Sequence, residues 1–425
     1  MITVIMAGGK GTRIASVEPD IPKPMIEIGG KPILEHEIVK LKEQGFKDFI
    51  ITISHMGEII QNYFGDGSKW GVKIAYFYEE TPLGNAGALF RIKDALTDDF
   101  LLLNGDSVFD IDFNRFAEYH FEHHALATIL THPNSHPYDS SIVIAKNGIV
   151  SKWLSKEDEK PEWYKNRVNA GIHIINKKAL NMCDVGEKVD LDRQILKPLC
   201  DKGYLCCYDS PEYVKDMGTP DRLKKVREDY ESGIIQSRNL CNEQKAIFLD
   251  RDGTINKEVG FLTNINRFEL LPDAAEAIRK INDMGYLAIV VTNQPVIARG
   301  EVTYEELEQI HNKMETLLGE QGAFLDGIYF CPHHPDSGFP GERTELKIKC
   351  SCRKPKPGML LKASEDYHIS LADSWMVGNS KNDILAGRNA GCKTALIGKE
   401  DYSQTISSNS LLEAVDSIER YEQSN

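Results

Sequence analysis

A chain of 425 residues with 41% hydrophobic content is long for one ordinary domain and sufficient for two, each with its own core. Its 50 basic and 64 acidic side chains give a net charge of −14. That balance disfavours a broad nucleic-acid-binding face and confines anion binding to local islands of Lys, Arg and backbone N–H. Nine cysteines, odd in number and scattered, fit a reducing compartment better than a disulfide framework. No stretch approaches the roughly 18–20 apolar residues of a membrane span, and Met1 leads straight into a strand rather than a basic-then-apolar leader. A soluble, cytoplasmic protein with no membrane or nucleic-acid partner is expected, and a homo-oligomer is compatible with this composition.

In chain order, an apolar strand runs from Val4 into the glycine-rich turn Gly8–Arg13, and Pro22-Lys23-Pro24 follows. Further β-rich runs at 49–53, 100–103 and 168–175 alternate with amphipathic helices, the pattern of a mainly parallel sheet covered by helices. Thr219-Pro220-Asp221 is a helix start, and the polar stretch ending at Gln244 lacks periodicity. The division is therefore read as a domain over 1–232, a linker over 233–244 and a second domain over 245–425. The second domain repeats the logic on a smaller scale. It has a strand at 246–250, a helix near 273–284, a buried strand at 286–291, a strand at 375–378, a helix from about Asn382 and a closing helix.

The loop Gly8-Gly9-Lys10-Gly11-Thr12-Arg13 offers bare N–H groups and close backbone approach. Its spacing is wrong for a dinucleotide fingerprint, and it lacks the Gly-Lys-Ser/Thr ending of a P-loop. Taken with Pro22-Lys23-Pro24, Pro82-Leu83-Gly84-Asn85-Ala86-Gly87-Ala88, Leu103-Asn104-Gly105-Asp106, Val168-Asn169-Ala170-Gly171 and Asp216-Met217-Gly218-Thr219-Pro220, it makes residues 1–230 resemble the sugar-1-phosphate nucleotidyltransferases. The resemblance implies a Rossmann-like domain in which Gly8, Gly9, Gly11, Thr12, Arg13, Gly84 and Asp106 hold the nucleotide. It further implies that Lys23 and Arg13 act on the reacting phosphates, that Asp106 and Asp216 bind Mg²⁺, and that Asn169 and Gly171 hold the sugar phosphate. The family's Glu-Lys pair is blurred here between Lys156 and Glu159-Lys160, and spacing favours Lys156. Asp216, just before a helix, also fits a plain N-terminal cap. The chemistry suits these residue types. A sugar phosphate must attack an α-phosphorus ringed by negative oxygens, so cations and a carboxylate-held metal lower the repulsion.

Asp250-Arg251-Asp252-Gly253-Thr254 sets two carboxylates at a strand's end, costly unless a cation bridges them or one keeps its proton. The arrangement can supply a nucleophile, a general acid and a metal site together. It resembles the haloacid dehalogenase superfamily, which implies that Asp250 forms a phosphoaspartyl intermediate and Asp252 serves as acid, then base. The same resemblance assigns Thr292 and Asn293 to the transferring phosphoryl group and Lys354 to charge stabilisation. Mg²⁺ would be held by Asp250, Asp252, Asn379 and Asp383, with Asn379 standing where the family usually has aspartate.

Cys331-Pro332-His333 and Cys350-Ser351-Cys352 can complete a closed, structural Zn²⁺ site that pins the intervening loop and holds Arg353 and Lys354 beyond it. With Val291-Thr292-Asn293-Gln294, Ile297-Ala298-Arg299-Gly300 and Asp326-Gly327-Ile328-Tyr329, the pattern makes residues 246–400 resemble the heptose 1,7-bisphosphate 7-phosphatases. Histidinol phosphatases share the zinc signature with a shorter loop. The resemblance implies a capless domain and sugar-phosphate contacts from Arg299 and Arg353. The first half looks most like the heptose-1-phosphate guanylyltransferases. Together the halves imply loss of the C7 phosphate from a heptose bisphosphate, then GMP transfer from GTP to heptose 1-phosphate. The alternatives are another nucleotide or sugar phosphate, or one half acting as a catalytically silent ligand-binding module.

Overall fold

The computed structural model describes residues 1–9, 20–183 and 188–424, and the chain divides into two compact units. Unit 1 comprises Met1–His132, Ser141–Ser155 and Asn169–Asn239, and unit 2 comprises Pro133–Ser140, Lys156–Val168 and Leu240–Asn425.

Unit 1 is built on nine strands: β1 (Ile2–Met6), β2 (Asp48–Ile53), β3 (Lys73–Tyr78), β4 (Asp99–Asn104), β5 (Ala127–His132), β6 (Ile142–Lys146), β7 (Ile149–Leu154), β8 (Val168–Asn176) and β9 (Leu205–Asp209). They form one sheet in the order β3-β2-β1-β4-β8-β5-β9-β7-β6. The β3-β2-β1-β4 block is parallel, as is β5 with β9, while β4–β8, β9–β7 and β7–β6 are antiparallel. The sheet is thus mixed and mainly parallel. Consecutive strand residues point to opposite faces, so an unbroken apolar run is stable only between two layers. Leu101 and Leu103 pack into one core with Ile5, Ile51 and Leu34, Ile38 and Leu41 of helix α1 (Ile33–Glu43). Phe100 and Leu102 enter a second core with Val4, Ile50 and Leu89 on the other face. A two-stranded sheet pairs Ser107–Asp110 with Tyr213–Asp216 antiparallel, with Ser107 opposite Asp216. Helix α2 (Pro220–Glu231) follows, capped by the Thr219 hydroxyl, which accepts from the Arg222 N–H. The cap is therefore Thr219, and Asp216 is left for other work.

Unit 2 carries a wholly parallel sheet of β10 (Ala246–Leu249), β11 (Leu287–Asn293), β12 (Gly327–Cys331), β13 (Trp375–Gly378), β14 (Lys393–Ile397) and β15 (Ile406–Ser408), ordered β12-β11-β10-β13-β14-β15. Ile247 and Leu249 pack with α3 (Ala274–Asp283), α4 (Tyr304–Gly319) and α7 (Leu411–Ser424), whereas Ala246 and Phe248 pack toward α5 (Gly358–Tyr367) and α6 (Lys381–Ala390). Within this unit the segment 156–168 is tied to α4. The Tyr164 N–H donates to Thr316 Oγ1 at 2.9 Å, the Asn166 N–H to Glu315 at 2.8 Å, and buried Arg167 lies 3.6 Å from Glu315. Among the described residues, no helix is long and apolar enough to cross a membrane.

Candidate active sites

In unit 1 the candidate residues gather at the carboxyl ends of β1 and β4, the edge where open α/β sheets place ligands. The Gly105 N–H donates to the Met6 carbonyl at 3.0 Å, which fixes the Asn104-Gly105-Asp106 turn beside the start of the glycine-rich loop. Gly8 is held there by the Ser54 hydroxyl, which donates to its carbonyl at 2.6 Å, and Gly9 is exposed. Gly11, Thr12 and Arg13 lie outside the described residues. Lys23 begins a short 3-10 turn directly after Pro22, and its Nζ meets Asp106 Oδ2 at 2.5 Å. Asp216 accepts from the Gly218 N–H at 2.7 Å and from Arg222 at 2.8 and 3.0 Å. Burial alone pushes the Asp216 carboxyl up. The Gly218 N–H, Arg222 and Lys23 outweigh it and hold the group below its ordinary value. Lys23 thus pairs with Asp106 and its charge also acts on Asp216, two carboxylates of a kind that suits a divalent cation.

Gly84 has φ +83°, and a Cβ there would run into the backbone of Val189. Gly171, at φ +75°, leaves room for the Asn104 side chain, whose amide fills the place a Cβ would take. Asn169 Oδ1 accepts from the Gly171 N–H at 3.1 Å, so Asn169, Gly171 and the Asn104–Asp106 turn form one neighbourhood. Lys156 is exposed and falls in the other compact unit, while its neighbour Lys160 donates to the carbonyls of Pro137 and Tyr138.

In unit 2, Asp250 and Asp252 follow β10, Thr292 and Asn293 end β11, and Asn379 and Asp383 flank the start of α6 after β13. Lys354, itself buried, reaches both Asp250 Oδ1 at 2.8 Å and Asp383 Oδ1 at 2.6 Å. Burial, then the charge of Asp383, lifts the Asp250 carboxyl to about 7, against the pull of Lys354. Asp383 caps α6 through its Oδ2, which accepts from the Ser380 N–H and hydroxyl. Its Oδ1 has no aligned hydrogen-bond partner. A desolvated carboxylate pair with an open lone pair suits a bound cation. The Asn379 amide packs against Gly253, whose φ of +75° and missing Cβ make the contact possible.

Asp252 is held by more donors than its motif suggests. Arg251, fully buried, chelates it with contacts from 2.8 to 3.3 Å, and Asn256 and Gln294 donate at 3.0 and 2.9 Å. Arg251 also meets His311 Nε2 of α4 at 3.3 Å. Sequence reasoning passed over these partners. Arg251 and Gln294 sit inside quoted motifs and were findable, whereas His311 lies on an apolar helix face with nothing to mark it. The Asn293 amide is taken up by Lys354, donating to its carbonyl at 3.1 Å and accepting from its N–H at 3.0 Å. These two bonds tie it to the lysine's main chain, and the second hydrogen of its NH₂ group is not used by either. The Thr292 hydroxyl is buried and accepts from Gln294 at 3.0 Å.

Cys331, His333, Cys350 and Cys352 place their ligand atoms within 4.8 Å of one another, an arrangement able to hold a metal ion. Arg353 donates to the His333 carbonyl at 3.3 Å, just beyond the cluster. Arg299 is sandwiched between Phe261 and Phe339, at 3.9 and 4.3 Å from their ring centroids.

Residues 2–233 match the nucleotidyl transferase family model, and residues 351–414 match the HAD-hydrolase-like model. The chain is 43% identical over 156 residues to D-glycero-beta-D-manno-heptose-1,7-bisphosphate 7-phosphatase of Pasteurella multocida, covering 37% of this chain and 82% of that one. The counterpart from Escherichia coli K12 is likewise 43% identical over 158 residues, 37% of this chain and 81% of that one. Among solved structures, HddC from Yersinia pseudotuberculosis aligns at 25% identity over 54% of this chain and 99% of its own, with a TM-score of 0.47.

Proposed function

Because the chain belongs to the nucleotidyl transferase family over residues 2–233 and to the heptose-1,7-bisphosphate 7-phosphatases with its other half, we propose that it carries out two consecutive steps of nucleotide-heptose synthesis. The substrate of the first step is D-glycero-D-manno-heptose 1,7-bisphosphate, and the product of the second is GDP-heptose. What carries the reading is the contact set Asp250–Lys354–Asp383, with Asp252 two residues from the nucleophile.

In the phosphatase step an Asp250 oxygen attacks the C7 phosphorus. The bond from phosphorus to the sugar oxygen breaks as Asp252 gives that oxygen a proton. Asp252 then takes a proton from water, whose oxygen attacks the same phosphorus and releases inorganic phosphate and free Asp250. Lys354 balances the charge of the nucleophile and of the phosphoryl oxygens, and Asn293 keeps its backbone in place. Mg²⁺ held among Asp250, Asp252, Asn379 and Asp383 would supply the further positive charge.

In the transferase step a phosphate oxygen of heptose 1-phosphate attacks the α-phosphorus of GTP, and pyrophosphate leaves. Lys23, with Arg13 and the N–H groups of Gly8, Gly9, Gly11 and Thr12, offsets the phosphate charge. Asp106 and Asp216 would hold Mg²⁺, which when bound would help align the phosphates. Guanine selectivity rests on the resemblance of residues 1–230 to heptose-1-phosphate guanylyltransferases. The cluster at 331–352 suits Zn²⁺. Bonds of about 2.3 Å at tetrahedral angles set sulfur ligands about 3.7 Å apart, and Cys331 lies 3.5 and 3.3 Å from the sulfurs of Cys350 and Cys352. A cytoplasmic protein with small-molecule partners completes the proposal.

The test supplies purified protein and Mg²⁺ with α- or β-heptose 1,7-bisphosphate and each of four nucleoside triphosphates, and follows products by mass spectrometry. GDP-heptose formed with GTP alone is the expected result. Heptose 1-phosphate that accumulates without any nucleotide sugar would overturn the assignment of the first half, and absence of phosphate release that of the second.

A further inference from the structure

We infer that His173 is a positioning residue of the transferase site, fixing the Asn169 amide so that its NH₂ group is free to donate to the sugar phosphate. The inference rests on the placement of Asn169 in the sugar-phosphate subsite proposed above. Asn169, Gly171 and His173 are alternate residues of β8 and share one face of the sheet. Asn169 Oδ1 lies 3.1 Å from the Gly171 nitrogen and 3.0 Å from His173 Nε2. A backbone N–H can only donate, so the Asn169 atom facing Gly171 is its oxygen and not its nitrogen. The same oxygen then demands a proton on His173 Nε2.

That assignment settles the imidazole. His173 is 1% exposed, and burial pushes it down to about 3, so the ring is neutral with its proton on Nε2. Nδ1 is left as a buried lone pair with no hydrogen-bond partner. Burying an unpaired ring nitrogen is unfavourable, and an aliphatic or phenyl side chain at this strand position would avoid the cost. The Nε2–H bond to Asn169 is what a histidine adds. With Oδ1 occupied by two donors, the Asn169 NH₂ donates to no group among the described residues. It lies in the neighbourhood of Asn104 and the Asp106 turn, because Asn104 fills the space above Gly171. Rotation of the amide by half a turn would set its NH₂ against two N–H donors, so the network selects one orientation before substrate arrives.

The experiment measures transferase kinetics of the full chain with heptose 1-phosphate and GTP, for wild type, N169A, H173F, H173Q and N169A/H173F. N169A is expected to raise KM for the sugar phosphate about tenfold, the worth of one hydrogen bond, with KM for GTP unmoved. H173F should raise the same constant about three- to tenfold. H173Q, which can donate from a similar position, should restore it, and H173F should add nothing in the N169A background. Wild-type behaviour of H173F beside an impaired N169A would overturn the inference and leave the subsite standing. So would an H173F effect that falls equally on both substrates or persists in full without Asn169. An unmoved sugar-phosphate KM in N169A would overturn the subsite itself. A second readout is independent of the substrate and of the folding of H173F. Nitrogen-15 NMR of the native chain, with the His173 signal assigned by its loss in H173Q, should show the neutral Nε2–H tautomer, and the Nδ1–H tautomer would refute the inference.

Discussion

Replacement of Asp250 by asparagine should stabilise the Mg²⁺-free protein while abolishing phosphatase activity. The carboxyl rises from an ordinary 3.8 to about 7, first because it is buried and then because Asp383 faces it, with Lys354 pulling the other way. A raised carboxyl means that the folded state holds its proton more tightly than the unfolded chain, so stability falls as pH climbs through that interval. Above pH 7 the ionised group costs about 4 kcal/mol, and at pH 5, where only the unfolded chain has ionised, about 2 kcal/mol. The neutral amide of D250N mimics the protonated carboxyl and removes this cost. At about 2–4 °C per kcal/mol for a unit of this size, Tm should rise by about 8–16 °C at pH 8 and by about half as much at pH 5. Scanning calorimetry without added Mg²⁺ reads the effect in the transition that Mg²⁺ shifts. Added Mg²⁺ should reverse the order, since the wild-type carboxylate then gains a cation. A Tm for D250N at or below wild type at pH 8, or an equal gain at both pH values, would refute the reasoning.

Lys23→Met should lower nucleotide transfer by about 10²- to 10³-fold, the scale seen when a preorganised charge is removed, and leave phosphate release unchanged; parallel assays on one preparation check this. Chelation of the Cys331, His333, Cys350 and Cys352 cluster should lower Tm of the second unit by several degrees, and a melting curve that does not move would remove the metal from the structural account. Asn379→Asp should lower the Mg²⁺ concentration giving half-maximal phosphatase activity by restoring a charged ligand. An unchanged titration would take Asn379 out of the coordination sphere.

The strands that were legible are those whose apolar runs are buried on both faces. Leu101–Leu103 and Leu287–Val291 are buried throughout, and such short unbroken apolar runs, set off by turn residues, fit strands covered on both faces better than a half-wet sheet or an amphipathic helix. The antiparallel part of the first sheet was less so, although its sign was present. Asn147-Gly148, with φ of +52° and +76°, closes the two-residue hairpin between β6 and β7, a strong short-range turn signal that the alternation of strands and helices obscured. The inclusion of 133–140 and 156–168 in the second unit has no compositional mark. It depends on main-chain bonds from Tyr164 and Asn166 and on the pairing of Arg167 with Glu315, whose partners lie on α4 far along the chain.

At the sites, residue type and position relative to strand ends were readable, but the use made of each polar group was not. Motif reading treats Lys23 and Lys354 as cations waiting for phosphate. In the folded protein each is already paired, Lys23 with Asp106 at 2.5 Å and Lys354 with Asp250 and Asp383 at 2.8 and 2.6 Å. Around Asp250, the ion pairs of Asp250, Asp252 and Asp383 among the described residues are with Lys354 and Arg251, which gives these five groups a net charge of −1 when all are ionised. A phosphate dianion entering that pocket meets repulsion. One divalent cation held by these carboxylates would reverse the sign to +1 and would compete with Lys354 for Asp250 and Asp383. Metal and substrate should therefore bind with positive coupling. On this reading the carboxylates that look like surplus acid in the sequence would make substrate binding depend on a cation.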